Sequence, residues 1–218
     1  IDSVLGLNFP VNDFFALIRS CYNQRSLNQE YQRLTFAFFG VAAPSDLMTD
    51  IQTTPFNIGQ AIQLEGFKEH EAQPLLQGLS EISNPQTVLK EVLAWTSGQP
   101  FLTQKLCKLI RSTSSSIPSN TEAAWIENLV QTKIIENWES QDEPEHLRTI
   151  RDRLLKSKQS AQLLELYRQI LQPTEVFTVN SSAERELLLS GLIVKQQKTL
   201  KVQNRIYRSI FKISLSLF

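Results

Sequence analysis

The sequence predicts a mainly helical chain with some β structure, and three observations carry that prediction. An uncharged run of aromatic and aliphatic residues, LTFAFFGVA at 34–42, has the texture of a strand buried on both faces. From Lys68 to about residue 140, apolar residues recur at helical spacing in four successive stretches with no strand-like run between them. After residue 145, three more amphipathic stretches lead into GLIVKQQKTLKV, two β-rich runs around Gln196-Gln197-Lys198. Three helices followed by a two-stranded hairpin is the order of a winged-helix domain. No internal repeat is visible.

Taken in order, Asn12 or Asp13 can cap a helix over about 12–25, in which Phe15, Ile18 and Cys21 or Tyr22 share a face. The run at 34–42 ends at Ala43-Pro44-Ser45-Asp46, a polar edge of the kind where open α/β sheets place ligands. AIQLEGF at 61–67 reads as a second short strand. Helices are expected at 69–79, 85–95, 100–112 and 122–138, punctuated by SNPQ, SGQP and the low-complexity loop STSSSIPSN at 112–120. The polar, acidic ESQDEPE at 139–145 reads as a hinge, with Pro144 suited to the first turn of the next helix. Helices over 145–156, 161–171 and 183–190 follow, then the hairpin, then a last helix from about Asn204.

Composition supports a folded chain. With 218 residues, 41% hydrophobic and 20% charged, and with 12 Phe and 3 Trp, it has the material for one large domain or two to three small ones. No apolar run approaches the ~18–20 residues of a membrane span. The chain opens on Ile1 without the charged and apolar regions of a secretory leader, which suggests an interior start and a cytoplasmic location. Cys21 and Cys107 lie in separate helical patterns and read as core thiols of a reducing compartment. The two histidines, His70 and His146, stand at no metal-ligand spacing, so no metal site is expected. The net charge of zero conceals a split: residues 1–144 carry 9 Lys and Arg against 16 Asp and Glu, a balance of −7, and residues 145–218 carry 13 against 6, a balance of +7. Such halves can attract one another, or the basic one can face an external polyanion.

Catalytic signatures are missing from these residues. No GxxxxGK(S/T) phosphate loop is present, no aliphatic run ends in Asp-Glu, and no GxSxG occurs. No catalytic residue is therefore assigned. TSGQP at 96–100 is the best single ligand candidate: Gly98 permits close backbone approach, and Pro100 offers a rigid apolar face while starting a helix. The same residues also suit a plain helix stop followed by a helix start.

Six blocks, IDSVLGLNFPVNDFFALIRSCYNQR, LTFAFFGVAAPSDL, TPFNIGQAIQLEGF, LAWTSGQPFLTQKLC, IIENWESQDEPEHLRTIRDRLL and LSGLIVKQQKTLKVQNRIYRSIF, together resemble the AAA-like domain of cyanobacterial multidomain signalling proteins. That domain is similar to STAND-type signalling NTPases, and the resemblance covers nearly the whole chain. It implies that residues 1–67 are the C-terminal part of an α/β P-loop NTPase core, 68–140 a helical lid and 145–218 a winged-helix domain. By the same resemblance, Walker A and Walker B elements belong upstream of Ile1, and the 34–42 run corresponds to the sensor 1 strand, with Ser45 as its polar contact. Ala42 and Ala43 stand where a Thr would be expected, a departure that weakens a catalytic reading.

TSGQP then corresponds to a GxP motif in which Gly98 and Pro100 pack against the nucleotide base, and His146 is a candidate for reporting the phosphates. The implied cofactor is ATP or ADP, with Mg only alongside an upstream P-loop half. The implied partners are that half and effector domains of the same or a related protein; self-association is left open. The implied role is a nucleotide-dependent conformational switch that is not hydrolytic on its own. The alternative is a winged-helix DNA-binding or protein-interaction module without NTPase function. Lys195, Lys198, Lys201, Arg205 and Arg208 suit DNA phosphates, but Glu184 and Glu186 in the third helix disfavour entry into a groove.

Overall fold

In a computed structural model, residues 11–40, 58–60, 62, 64–82, 84–113, 117 and 120–215 are described, and they fall into two compact units, 1–64 and 65–218. The architecture is mainly helical with one small antiparallel sheet.

In the first unit, helix α1 (Asn12–Asn23) buries Phe15 and Ile18, three residues apart on one face. Two 3₁₀ turns, Gln24–Ser26 and Gln29–Arg33, follow; the Asn28 side chain caps the second by accepting from Glu30 N at 3.0 Å. The strand expected at 34–42 is not formed over its described part. Residues 34–40 have no regular structure, and Phe36 and Phe39 are exposed (44% and 75%) rather than buried on both faces. An apolar run becomes a strand only when a neighbouring strand takes its backbone groups, and none pairs with it among the described residues. Phe38 sets its ring edge-on to Phe15, centroids 6.2 Å apart. Residues 41 and 42 lie outside the described residues, as does Ser45.

The second unit begins in residues of no regular structure. The strand expected at 61–67 is also absent from its described residues. Instead of a helix over 69–79, a turn leads into a 3₁₀ segment, Gln73–Leu79. Helix α2 (Pro85–Thr96) buries Val88, Leu89, Val92, Trp95 and Thr96, and α3 (Pro100–Ser112) buries Leu102, Thr103, Leu106 and Ile110. Each set lies on one stripe, and the stripes face one another: the buried hydroxyls of Thr96 and Thr103 meet at 2.8 Å.

Where one helix was expected over 122–138, the chain forms α4 (Glu122–Val130), a π turn (Gln131–Ile135) and a short α5 (Trp138–Gln141). Asn137, at φ 48, breaks the run, and Gln141 Nε2 donates to the carbonyls of Thr132 (3.2 Å) and Glu136 (2.6 Å) that the break leaves free.

Helices α6 (Leu147–Lys156), α7 (Ser160–Leu171) and α8 (Ser182–Leu189) follow, with strand β1 (Val176–Phe177) ahead of α8. Strands β2 (Ile193–Gln196) and β3 (Thr199–Val202) form the expected hairpin, and β1 joins it to give the order β1-β3-β2. Gln196 sits opposite Thr199, and Val176 opposite Leu200. Helix α9 (Arg205–Leu215) closes the chain, burying Ile206, Tyr207, Ile210 and Phe211. A continuous core runs from Ala72 through the stripes of α2, α3 and α4 to those of α6 to α9. The Arg205 guanidinium lies over the Trp95 ring at 3.8 Å and fastens α9 to α2.

Candidate functional site

The turn between α2 and α3 is built by two successive left-handed residues, Ser97 (φ 48) and Gly98 (φ 70). Glycine at 98 is required by the chain itself. A Cβ there would fall 2.2 Å from the Phe67 carbonyl oxygen and 2.5 Å from its nitrogen, and one on Gly66 would fall 2.4 Å from the Ser97 oxygen. The two backbones cross at this point, and Phe67 N–H donates to Gly98 O at 2.8 Å. The close approach that Gly98 permits is thus occupied by residues 66–67. Gln99 then caps α3 by accepting from Leu102 N at 2.6 Å, and Pro100 occupies the first turn, where its missing N–H costs nothing. Pro100 is exposed, while Gly98 is buried.

Pro100 opens a line of aromatic and polar groups. The next residue, Phe101, lays its ring on His146 with centroids 4.5 Å apart and planes inclined by 34°. One turn on, Lys105 Nζ lies 5.8 Å from the Phe101 ring and donates to Gln141 O at 3.0 Å. His146 is half-buried at the start of α6, and its Nε2 is 2.6 Å from the Tyr207 hydroxyl of α9. The fold therefore brings the Gly98–Pro100 turn and His146 together through Phe101, although 46 residues separate Pro100 from His146 in sequence. Burial, with the nearby Lys105 ammonium, holds the His146 imidazole below its usual pKa, against an opposing pull from Asp142. Burial likewise lowers Lys105, while Asp142 and Glu143 act to raise it.

Asp142 is the functional residue that sequence reasoning passed over. It sits in the expected hinge but is completely buried, and its Oδ2 accepts from the backbone N–H of His146 (3.0 Å) and of Arg148 (2.8 Å). A carboxylate on the orphan amides of α6 both caps the helix and complements its dipole. Lying five residues ahead of the helix start at Leu147, it gave no local capping signal, which falls on the residue directly before a helix. Pro144 lies three residues before α6 rather than within its first turn. Arg148 Nη2 reaches Glu143 at 3.3 Å and Arg151 Nη1 reaches Glu139 at 2.6 Å, so part of the acidic and basic split is neutralised across 139–151. The segment read as a hinge is thus a fastened joint.

Of the other groups, His70 is exposed, and both cysteines are free, with burial pushing the Cys107 thiol up to about 11. Trp95 is buried, and Trp125 and Trp138 are partly buried against the core. Among the described residues no group of three His, Cys, Asp or Glu side chains is placed to hold a metal ion, and no helix is long and apolar enough to cross a membrane.

A chain with this helical build and this joint belongs to the AAA-like domain family, whose model matches residues 1–213. It is 50% identical, over 218 residues, to an uncharacterized WD repeat-containing protein of Synechocystis sp. (strain ATCC 27184 / PCC 6803 / Kazusa). The match takes in 97% of this chain and spans 18% of that protein's length. No solved structure matches the chain.

Proposed function

We propose that this chain is the sensor, lid and winged-helix part of a nucleotide-dependent signalling switch of the STAND type, one that clamps ATP or ADP supplied by a P-loop half and does not hydrolyse it alone. On this reading, 68–140 is the lid and 145–218 the winged helix. The observation that carries it is the packing of Phe101, the residue after Pro100, on His146. Pro100 and Phe101 present apolar and aromatic faces suited to a base, and His146, held neutral, can hydrogen-bond to a ligand oxygen. The phosphate side is not supplied by these residues: Lys105 is the nearby cation, and it is engaged by Gln141. Gly98 shapes the turn rather than touching the ligand, and Ser45 stays a sensor candidate on sequence grounds alone. A relative bearing WD repeats supports effector and repeat modules as partners within one polypeptide.

The test joins this chain to a P-loop half and measures ADP affinity by calorimetry. Pro100→Ala removes an apolar face and is expected to weaken binding about fivefold, on the order of 1 kcal/mol. Unchanged affinity in a folded variant overturns the ligand reading.

One observation favours the second reading, a module that binds DNA or another protein. Glu184, which disfavoured groove entry on sequence grounds, is turned inward and consumed by Thr178 Oγ1 and by the amides of Val179 (2.8 Å) and Asn180 (2.7 Å), while Lys195, Lys198 and Lys201 are exposed on the hairpin. A salt-dependent electrophoretic shift with duplex DNA supports that reading. Its absence at low salt removes the DNA form of it.

A further inference from the structure

Tyr207 is enclosed to 1% exposure, so its hydroxyl is cut off from water and needs an acceptor inside the protein. Among the described residues that acceptor is Nε2 of His146, at 2.6 Å. The rest of Tyr207 is engaged elsewhere: its N–H donates to Asn204 Oδ1 at 2.8 Å, and its carbonyl accepts from the Tyr167 hydroxyl at 3.5 Å. Burial raises the phenol far above its ordinary pKa, so it remains a donor at every pH at which the fold is studied. A buried donor dictates the state of its partner. His146 must be neutral, with a lone pair on Nε2 and its proton on Nδ1.

We propose that His146 and Tyr207 form a proton-released latch that fastens the start of α6 to α9 when the imidazole is neutral and lets α9 loosen when it is charged. Protonation makes both imidazole nitrogens donors. The imidazolium can still donate to the phenolic oxygen, but the phenol's own hydrogen then loses its nitrogen acceptor and must turn from it toward the groups that flank the phenol, the Phe211 ring, centroids 6.3 Å apart, the Asn204 side chain and the Asp142 carboxylate. Exchanging the short bond to His146 for such a rearrangement in the core weakens the joint between α6 and α9. The charges that face the ring come from two elements. Asp142, in the loop before α6, favours the charged form, and Lys105 on α3 disfavours it, adding to the effect of burial. Arg148 moderates Asp142 from 3.8 Å and also engages Glu143. The ring is further pinned by Phe101 and by the bond from its own backbone N–H to Asp142. The latch stands without the nucleotide reading, since none of its contacts involves a ligand.

The chain has two histidines, so the His146 signals can be assigned by comparison with a His70→Gln variant. Long-range proton–nitrogen correlation spectra of the 218-residue chain should place the His146 proton on Nδ1 near pH 7.5 and give His146 a titration midpoint below that of an ordinary histidine. Amide protection factors at Ile206–Phe211 should fall at least tenfold as pH passes down through the His146 midpoint. In His146→Gln, which keeps an acceptor oxygen but does not titrate, that acid-dependent loss should disappear. In Tyr207→Phe, the His146 midpoint should rise toward the ordinary histidine value. A His146 proton found on Nε2 at neutral pH overturns the latch, and so does an α9 protection profile with the same pH dependence in His146→Gln as in wild type. The tautomer is read in the unmodified chain, so a variant that fails to fold leaves the test intact.

Discussion

The two units treat similar raw material in opposite ways. In 65–218 nearly every large apolar residue of a helical stripe meets another stripe, and buried side chains run from Ala72 to Phe211. In the described part of 1–64, Phe15 and Ile18 are the buried apolar side chains, while Leu17, Leu27 and Phe39 stand 63%, 81% and 75% exposed. Composition does not explain the contrast, because LTFAFF at 34–39 is among the most apolar runs in the chain. The difference lies in closure. An amphipathic helix followed by another amphipathic helix can bury both stripes locally, whereas an apolar strand is completed only by other strands.

The largest test of that contrast is a pair of deletions. Leu106→Ala, at a fully buried α3 position, should lower unfolding free energy by about 2–5 kcal/mol, through lost transfer energy plus a cavity. Leu27→Ala, at an exposed position, should change it by no more than about 0.5 kcal/mol. Urea denaturation of both variants checks the pair, and equal effects would break the comparison.

A smaller effect is expected from Glu184, which holds the loop ahead of α8. Glu184→Ala strands the Thr178 hydroxyl and two backbone amides and should cost about 2–3 kcal/mol. Burial by itself would raise the Glu184 pKa, but those three donors outweigh it and leave it lowered. A carboxylate with a lowered folded pKa binds fewer protons folded than unfolded. Its contribution is therefore present above the ordinary Glu value near 4.5 and is lost as pH falls through the folded value. Acid unfolding of the variant should accordingly be shallower over that range than that of wild type.

The smallest effect sharpens the account of the joint. Arg151→Ala removes partly exposed bonds to Asp152 and Glu139 and a contact over the Trp138 ring at 5.6 Å, and should cost about 1 kcal/mol or less. Raising salt from low ionic strength to 1 M should shrink the ionic part of that difference, which paired denaturation curves would register.

How far the sequence could be read depended on how local the deciding interaction was. Helix α3 begins at Pro100 and ends at Ser112 as expected, because Pro at the first turn and the capping Gln99 act within four residues. The hairpin of β2 and β3 was equally legible, since two β-rich runs joined by a short turn pair with each other locally, whereas the addition of β1 to β3 was not. The helix expected over 122–138 was overextended, because its apolar spacing continues past the point where Asn137 turns left-handed and Gln141 takes up the freed carbonyls. Of the site, Pro100 and His146 were visible as candidates, but their meeting was not. The link is Phe101, an ordinary apolar residue of a helix start.

By itself, the sequence determined most of the succession of helices, the position of the hairpin and the Pro100 helix start, which rest on spacing along the chain, and the family, which rests on the resemblance of its blocks. Tertiary structure alone decided which residues confront one another across it. It placed the backbone of residues 66–67 against Gly98, so that a glycine read for ligand access serves a chain crossing. It buried Asp142 under α6, so that an acidic hinge became a joint. It brought Tyr207 to His146 from 61 residues away, so that a histidine read as a candidate phosphate reporter gained a buried partner. The physical reason is common to all three. Propensity and periodicity act over a few residues, whereas a buried polar group takes whatever partner the packed core delivers, at any sequence distance.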